Sequence, residues 1–144
     1  VLLASEEWAE ANDLPVQAWL TASRTSAVDY VNDEGLLMAP TVAVSEMLQR
    51  TGLSLQDFDY YEIHEAFAAQ VLCTLAAWES EDYCRDRLGL ENALGSIDRE
   101  KMNVRGSSLA VGHPFAATGA RILGNLGQIL ADAGSGRGLM TGRR

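Results

Sequence analysis

The sequence predicts an α/β domain on a largely parallel sheet, and three observations predict it. Short apolar or alternating runs recur between segments of helical period. Each helical segment carries its own start and stop residues. The order strand, helix, strand, helix repeats to the end of the chain, as expected when crossover helices link neighbouring parallel strands.

Val1 to Ala4 reads as a short apolar strand already in progress, with neither a Met start nor a polar lead-in, so the chain is expected to begin inside a larger protein. Ser5 followed by Glu6 and Glu7 starts a helix, with acids at its positive end. Val16 to Ser23 alternates Val16, Ala18, Leu20 and Ala22 against Gln17, Trp19, Thr21 and Ser23, which is strand period. Arg24 to Ala39 has no period and reads as a loop. Pro40 opens a helix with Val44, Met47 and Leu48 on one face, stopped by Gly52. Phe58 to His64 alternates again, and the helix after it carries Phe67, Val71, Leu72, Leu75 and Trp78 on one stripe. Glu79 to Lys101 is polar and mixed, a short helix with a surface loop. Ser107 to Gly112 reads as a small strand. A long helix from about Ala117 to Ala133 turns Ile122, Leu123, Leu126, Ile129, Leu130 and Ala133 inward, with Gly134 past its end. Gly138 to Thr141 is the last strand.

At 144 residues the chain suits one domain. Its hydrophobic fraction of 47% and charged fraction of 22% are those of an ordinary globular protein. A net charge of −9 argues against nucleic acid, which needs a basic face, and against an anionic membrane surface. No apolar run approaches the roughly 20 residues needed to span a bilayer, and no signal peptide opens the chain. The two cysteines, Cys73 and Cys84, are too few for a disulfide framework and lack a nearby histidine for zinc. Cys73 falls in the helical apolar pattern and reads as a small core hydrophobe rather than a nucleophile, and Cys84 is read the same way, less firmly.

The chain has two histidines, and each sits at a strand-to-helix junction, where α/β sheets bind ligands. His64 ends one strand; His113 follows another, just before Pro114 and the long helix. Two such histidines could converge on one pocket as acid, base or hydrogen-bond donor. A histidine at a strand end also serves by binding a carbonyl, and position alone leaves both readings open. As metal ligands the pair lacks a spaced third partner, although Glu62 or Glu65 could be invoked, and no metal is expected. Small residues flank His113: Gly106, Gly112, Ala116, Ala117, Gly119 and Ala120. Helix packing explains Gly119 and Ala120 well, and the Gly112-His113-Pro114 junction less well.

His64-Glu65-Ala66-Phe67-Ala68 resembles the thiolase motif N/H-E-A-F-A. Asn103-Val104-Arg105-Gly106-Ser107-Ser108-Leu109-Ala110-Val111-Gly112-His113-Pro114-Phe115-Ala116-Ala117-Thr118-Gly119 is similar to the thiolase N-x-x-G-G-x-x-x-x-G-H-P-x-x-x-S/T-G motif. Their order agrees as well. Histidine at position 64 and Phe115 to Gly119 after the Gly-His-Pro look most like the fatty-acid β-oxidation branch, which includes the thiolase subunit of trifunctional complexes.

The resemblance implies the C-terminal thiolase domain: a mixed, mostly parallel sheet with helices on both faces, spanning residues 1–144 and missing its last strand. It implies acyl transfer between CoA thioesters, in which a cysteine thiolate of the N-terminal domain attacks a carbonyl and carries the acyl group. His113 matches the histidine that activates that cysteine and donates to an oxyanion. His64 matches the second oxyanion donor. Phe67 and Ala66 match positions lining the acyl pocket, with Gly112 and Pro114 beside the substrate; Phe67 also suits the helix stripe. CoA and acyl-CoA are implied as substrates, with no cofactor. The implied partners are the N-terminal thiolase domain, further copies of the chain and a hydratase/dehydrogenase subunit, in the cytoplasm with a mitochondrial home left open.

The sequence departs from the family in lacking both active cysteines, which implies that the chain alone is inactive. The second cysteine would follow Gly138 to Thr141, where Gly142-Arg143-Arg144 stands instead and reads as a truncation, frameshift or boundary. The rival reading is a catalytically dead thiolase-like module for subunit interaction or acyl-CoA binding. An α/β hydrolase is excluded because no G-x-S-x-G elbow is present.

Overall fold

A computed structural model describes residues 1–142, so Arg143 and Arg144 of the tail discussed above lie outside the described residues. Helix α1 (Glu6–Ala11) is capped by Ser5, whose hydroxyl accepts the Trp8 N–H. Helix α2 (Ala39–Thr51) starts with proline in its first turn and ends at Gly52, whose φ of 69° is the left-handed turn that glycine adopts without strain. Strand β1 (Tyr60–Ile63) follows, then α3 (Ala68–Glu79) and α4 (Glu81–Leu88), the last two hinged at Ser80, which caps α4 through the Tyr83 N–H. Next come α5 (Ser108–Val111), α6 (Thr118–Ala133) and β2 (Gly138–Thr141).

β1 and β2 pair in parallel, with Tyr60 opposite Gly138 and Ile63 opposite Thr141. A single parallel bridge joins Met102 to Tyr61 on the other edge of β1. Side chains of a strand alternate between faces. Tyr61, Ile63 and Leu139 therefore share one face, packed with Val44, Leu48, Val71, Leu75 and Trp78 from α2 and α3. Glu62, His64 and Gly138 share the other, beneath α6. A methyl group on Gly138 would lie 2.7–2.8 Å from the Leu126 side chain, so glycine is what lets α6 approach the sheet. The predicted α/β class and the helices on both faces are present; the sheet is smaller than predicted.

Two of the expected strands, Val1–Ala4 and Val16–Ser23, are extended chain without a ladder partner among the described residues. A strand exists only through pairing, and these segments instead lie along α6. The Val1 side chain abuts Gly124, and Gln17 Nε2 donates to Gln128 Oε1 at 2.7 Å. Leu2, Leu3, Trp19 and Leu20 remain exposed. The third, Ser107–Gly112, is the short helix α5: the Ala110 N–H returns to the Ser107 carbonyl at 2.9 Å and the Gly112 N–H to Ser108 at 2.8 Å. A six-residue run of small and apolar residues does not separate strand from helix by period.

Side-chain placement differs from expectation at several points. Phe67 is not on the buried stripe of α3; it precedes the helix with an extended φ of −146° and is 62% exposed. Leu72 is exposed as well, so the stripe is Val71, Leu75 and Trp78, with Gln70 and Thr74 between them. Cys73 falls between turns of that stripe and is exposed, against the sequence reading, whereas Cys84 is fully buried at the α3–α4 corner, as that reading had it. On α6, Ile122, Leu126 and Ile129 are buried, Leu123 and Leu130 half-buried, and Ala133 exposed. Among the described residues no helix is long and apolar enough to cross a membrane.

Candidate functional site

The alternation of β1 sends His64 beneath α6, and the ladder fixes its backbone: the His64 N–H donates to the Thr141 carbonyl at 2.9 Å. The ring is buried, and its Nδ1 lies 3.0 Å from the Ser108 hydroxyl at the first turn of α5. Arg121, one turn into α6, donates from Nη2 to the same hydroxyl at 3.0 Å.

His113 stands on the loop joining α5 to α6. Gly112 enters that loop at φ 88° and ψ 174°, a region open essentially to glycine alone, so the glycine is required there. Ala116 holds a φ of 67°, strained for a residue with a side chain, and such strain gathers at functional sites. The His113 Nδ1 lies 2.6 Å from the hydroxyl of buried Thr118 at the start of α6. The rings of His64 and His113 are 4.3 Å apart between centroids, inclined at 49°. The Phe115 ring also lies against His113, 5.0 Å away between centroids. Two histidines separated by 49 positions in the sequence thus share one place.

Residues to which sequence reasoning gave no bracing role hold this pair in place. Asn103 uses its side-chain amide on both backbone groups of Ile63, and its Nδ2 also donates to Glu65 Oε1 at 2.8 Å. The other Glu65 oxygen accepts the Leu109 N–H at 3.1 Å, tying the end of β1 to α5. Asn103, Glu65, Ser108 and Thr118 all lie inside the two quoted motifs, which was the available signal; Arg121 lies just beyond the second.

Under the histidines sits a buried carboxyl. Glu62 is 1% exposed, and neither of its oxygens has a hydrogen-bond partner among the described residues. Burial pushes its pKa up to about 7, with the Arg121 and Arg105 cations pulling it down and Glu65 adding to the rise. The mouth is apolar and open: Phe67, Leu109, Val111 and Phe115 are exposed, the last at 87%. Ala66 is half-buried, and Gly112 and Pro114 are exposed at the rim.

Elsewhere, a shallow cleft of about 430 Å³ is lined by Arg24, Glu46, Gln49 and Arg50. Its Arg24 and Glu46 form an ion pair, and it holds no histidine or cysteine. Among the described residues no group of His, Cys, Asp and Glu is arranged to hold a metal ion. The histidine pair is therefore the site with chemistry: two imidazoles, each with Nδ1 held by a hydroxyl, under an apolar rim.

Comparisons with known proteins find relatives over most of the chain. The family model described as "Thiolase, C-terminal domain" matches residues 15–142. The 3-ketoacyl-CoA thiolase of Yersinia pestis (strain Pestoides F) is 42% identical over 141 residues, 98% of this chain and 32% of its own length. The enzyme of the same name from Yersinia pseudotuberculosis (serotype O:1b, strain IP 31758) matches to the same extent. The chain thus spans about a third of the length of these relatives. Among solved structures, the acetyl-CoA acetyltransferase of Syntrophomonas wolfei superposes with a TM-score of 0.71 at 30% identity, over 93% of this chain and 30% of that one. That of Bacillus anthracis gives 0.65 at 33% identity, over 94% and 29%.

Proposed function

The chain belongs to the thiolase family, whose C-terminal domain it matches, and from that premise we propose that it serves acyl transfer between CoA thioesters in a 3-ketoacyl-CoA thiolase. The observation that carries the reading is the 4.3 Å approach of His64 and His113 at the end of β1 and the start of α6.

In this reading a cysteine thiol from another part of the thiolase is the nucleophile. Within this chain, Cys84 is tied to the Ala77 and Trp78 carbonyls at 3.5 and 3.6 Å, and Cys73 is exposed on α3. His113 takes the thiol proton on Nε2, since Nδ1 is engaged by Thr118. The thiolate attacks the carbonyl, and the oxygen that gains charge is met by N–H donors from His64 and His113. Collapse breaks the bond between the keto carbon and its α carbon, and the departing thioester leaves as an enolate that takes the proton held by His113. The acyl group stays on the cysteine sulfur until the thiol of CoA, giving up its own proton, accepts it and frees the cysteine. Phe67 and Ala66 line the acyl side, with Gly112 and Pro114 beside the thioester. Fatty-acid oxidation and the trifunctional branch belong to the same proposal, supported by the histidine at position 64 and the names of the relatives; an oligomer, a hydratase/dehydrogenase partner and a cytoplasmic setting are what that branch would bring with it.

The test is thiolysis of 3-ketoacyl-CoA by the protein that carries this chain together with a nucleophile domain. His113→Ala is expected to cost more rate than His64→Ala, because His113 both activates and donates; each loss is roughly 10²–10³ in kcat. Near-normal kcat/KM in both variants would overturn the catalytic reading and leave the module that binds partners or acyl-CoA in its place.

A further inference from the structure

We propose that Ser108 and Arg121 are positioning residues that hold His64 in the tautomer with its proton on Nε2. The argument is one of donors and acceptors. The Ser108 hydroxyl is buried and has two side-chain partners, His64 Nδ1 and Arg121 Nη2, each at 3.0 Å. A guanidinium donates and never accepts. Arg121 therefore takes a lone pair of the hydroxyl oxygen, and the one hydroxyl proton needs an acceptor elsewhere.

If His64 carried its proton on Nδ1, both neighbours would donate into Oγ, and the hydroxyl proton would face no acceptor among the described residues. Leaving a buried donor unsatisfied is costly. With Nδ1 bare, the chain runs in one sense: guanidinium N–H to hydroxyl oxygen, hydroxyl O–H to Nδ1, and the ring proton on Nε2. The cation polarises the hydroxyl and strengthens that last bond, as expected in a dry site. Glu62, beside Arg121 on the same face, supplies the opposite charge when ionised. His113 sits next to a hydroxyl too, but Thr118 Oγ1 also reaches the Pro114 carbonyl at 3.5 Å, and among the described residues no cation donates to it. One ring is wired as a donor, and its neighbour is left able to act as a base.

That the Nε2 proton meets an oxyanion rests on the acyl-transfer reading; the tautomer does not. The experiment reads the ring nitrogens of the full chain, labelled with 15N-histidine, whose two imidazoles give separable signals. In the unaltered protein at neutral pH, His64 Nδ1 is expected at the unprotonated position and Nε2 at the protonated one. Ser108→Ala should mix the two tautomers, Ser108→Thr should restore one, and Arg121→Gln should give an intermediate mixture, with His113 unchanged throughout. A protonated Nδ1 on His64 in the unaltered protein overturns the proposal, a result that needs no variant to fold. So does an unchanged His64 spectrum in Arg121→Gln and Ser108→Ala together. In the thiolysis assay Ser108→Ala should lower kcat about twofold to tenfold at constant KM. A changed tautomer with unchanged kcat would refute the oxyanion role and leave the wiring standing.

Discussion

Asn103 grips both backbone groups of Ile63: its Oδ1 accepts the Ile63 N–H at 2.8 Å, and its Nδ2 donates to the Ile63 carbonyl at 2.9 Å. Its own N–H donates to the Tyr61 carbonyl at 2.8 Å. One side chain so replaces the strand that would otherwise flank β1, immediately before His64. Its φ of 51° is a left-handed value that asparagine tolerates better than most residues.

Asn103→Ala should therefore destabilise the domain by about 2–4 kcal/mol, because it strands two buried backbone groups. Urea unfolding followed by circular dichroism measures this. Asn103→Asp keeps the acceptor but turns an oxygen toward the Ile63 carbonyl and the Glu65 carboxylate, and should cost at least as much as alanine at neutral pH. A loss below ~0.5 kcal/mol for Asn103→Ala would mean that water replaces the amide.

Glu62 makes stability depend on pH. Its pKa is raised from 4.5 unfolded to about 7 folded, so between those values the folded chain holds a proton that the unfolded chain has lost. Stability then falls as pH rises through that window and levels off above it. Glu62→Gln should flatten the dependence and be more stable than the parent at pH 8 by about 1–3 kcal/mol. Denaturation midpoints at pH 5 and pH 8 decide the matter; parallel curves for parent and variant would count against a buried, uncompensated carboxyl.

Thr118 orients His113. Thr118→Val keeps the volume and removes the hydroxyl partner of Nδ1, so kcat in the thiolysis assay should drop roughly tenfold or more with little change in KM. Thr118→Ser should retain most of the rate. Equal rates for valine and serine would assign the hydroxyl to packing.

The two cysteines should differ in reactivity. Cys73 is exposed and Cys84 buried, so a disulfide reagent should label Cys73 within seconds to minutes and Cys84 on the timescale of unfolding. With neither thiol paired to the histidines, the 144-residue chain by itself should not turn over acetoacetyl-CoA. Turnover that disappears on Cys73→Ser would make that residue the nucleophile.

Much of this was legible before any coordinates. Pro40 and Gly52 bracket α2, and Gly134 closes α6, because capping is a local matter of a few residues. The convergence of His64 and His113 was expected from two strand-to-helix junctions, but only His64 stands at one; His113 follows the short helix α5, so the expectation reached the right pair through a strand that is not there. Reading failed where the outcome depends on distant partners. Val16 to Ser23 has strand period, yet with no ladder partner among the described residues it lies against α6 instead. Period placed Phe67 one residue inside a helix that starts at Ala68, and that offset turned a core aromatic into a rim one. Cys73 sits two residues past Val71, about 200° around a helix of 3.6 residues per turn and hence on the far face, a count the apolar run disguised. The Arg121–Ser108–His64 chain joins three elements, and no short-range pattern announces it.

The parallel pairing of β1 with β2 also sets an order of assembly. Tyr60 meets Gly138 across 78 residues of chain, a long loop to close before the ladder repays it. A ribosome adding roughly 5–20 residues per second makes Gly138 about 4–16 s after Tyr60. Met102 and Asn103 can close one edge of β1 earlier, but the edge that receives Thr141 stays open until the end of that interval. A nascent β1 with bare N–H and C=O groups is a target for other strands. Translation speed across residues 104–141 then sets how long that edge of β1 stays open.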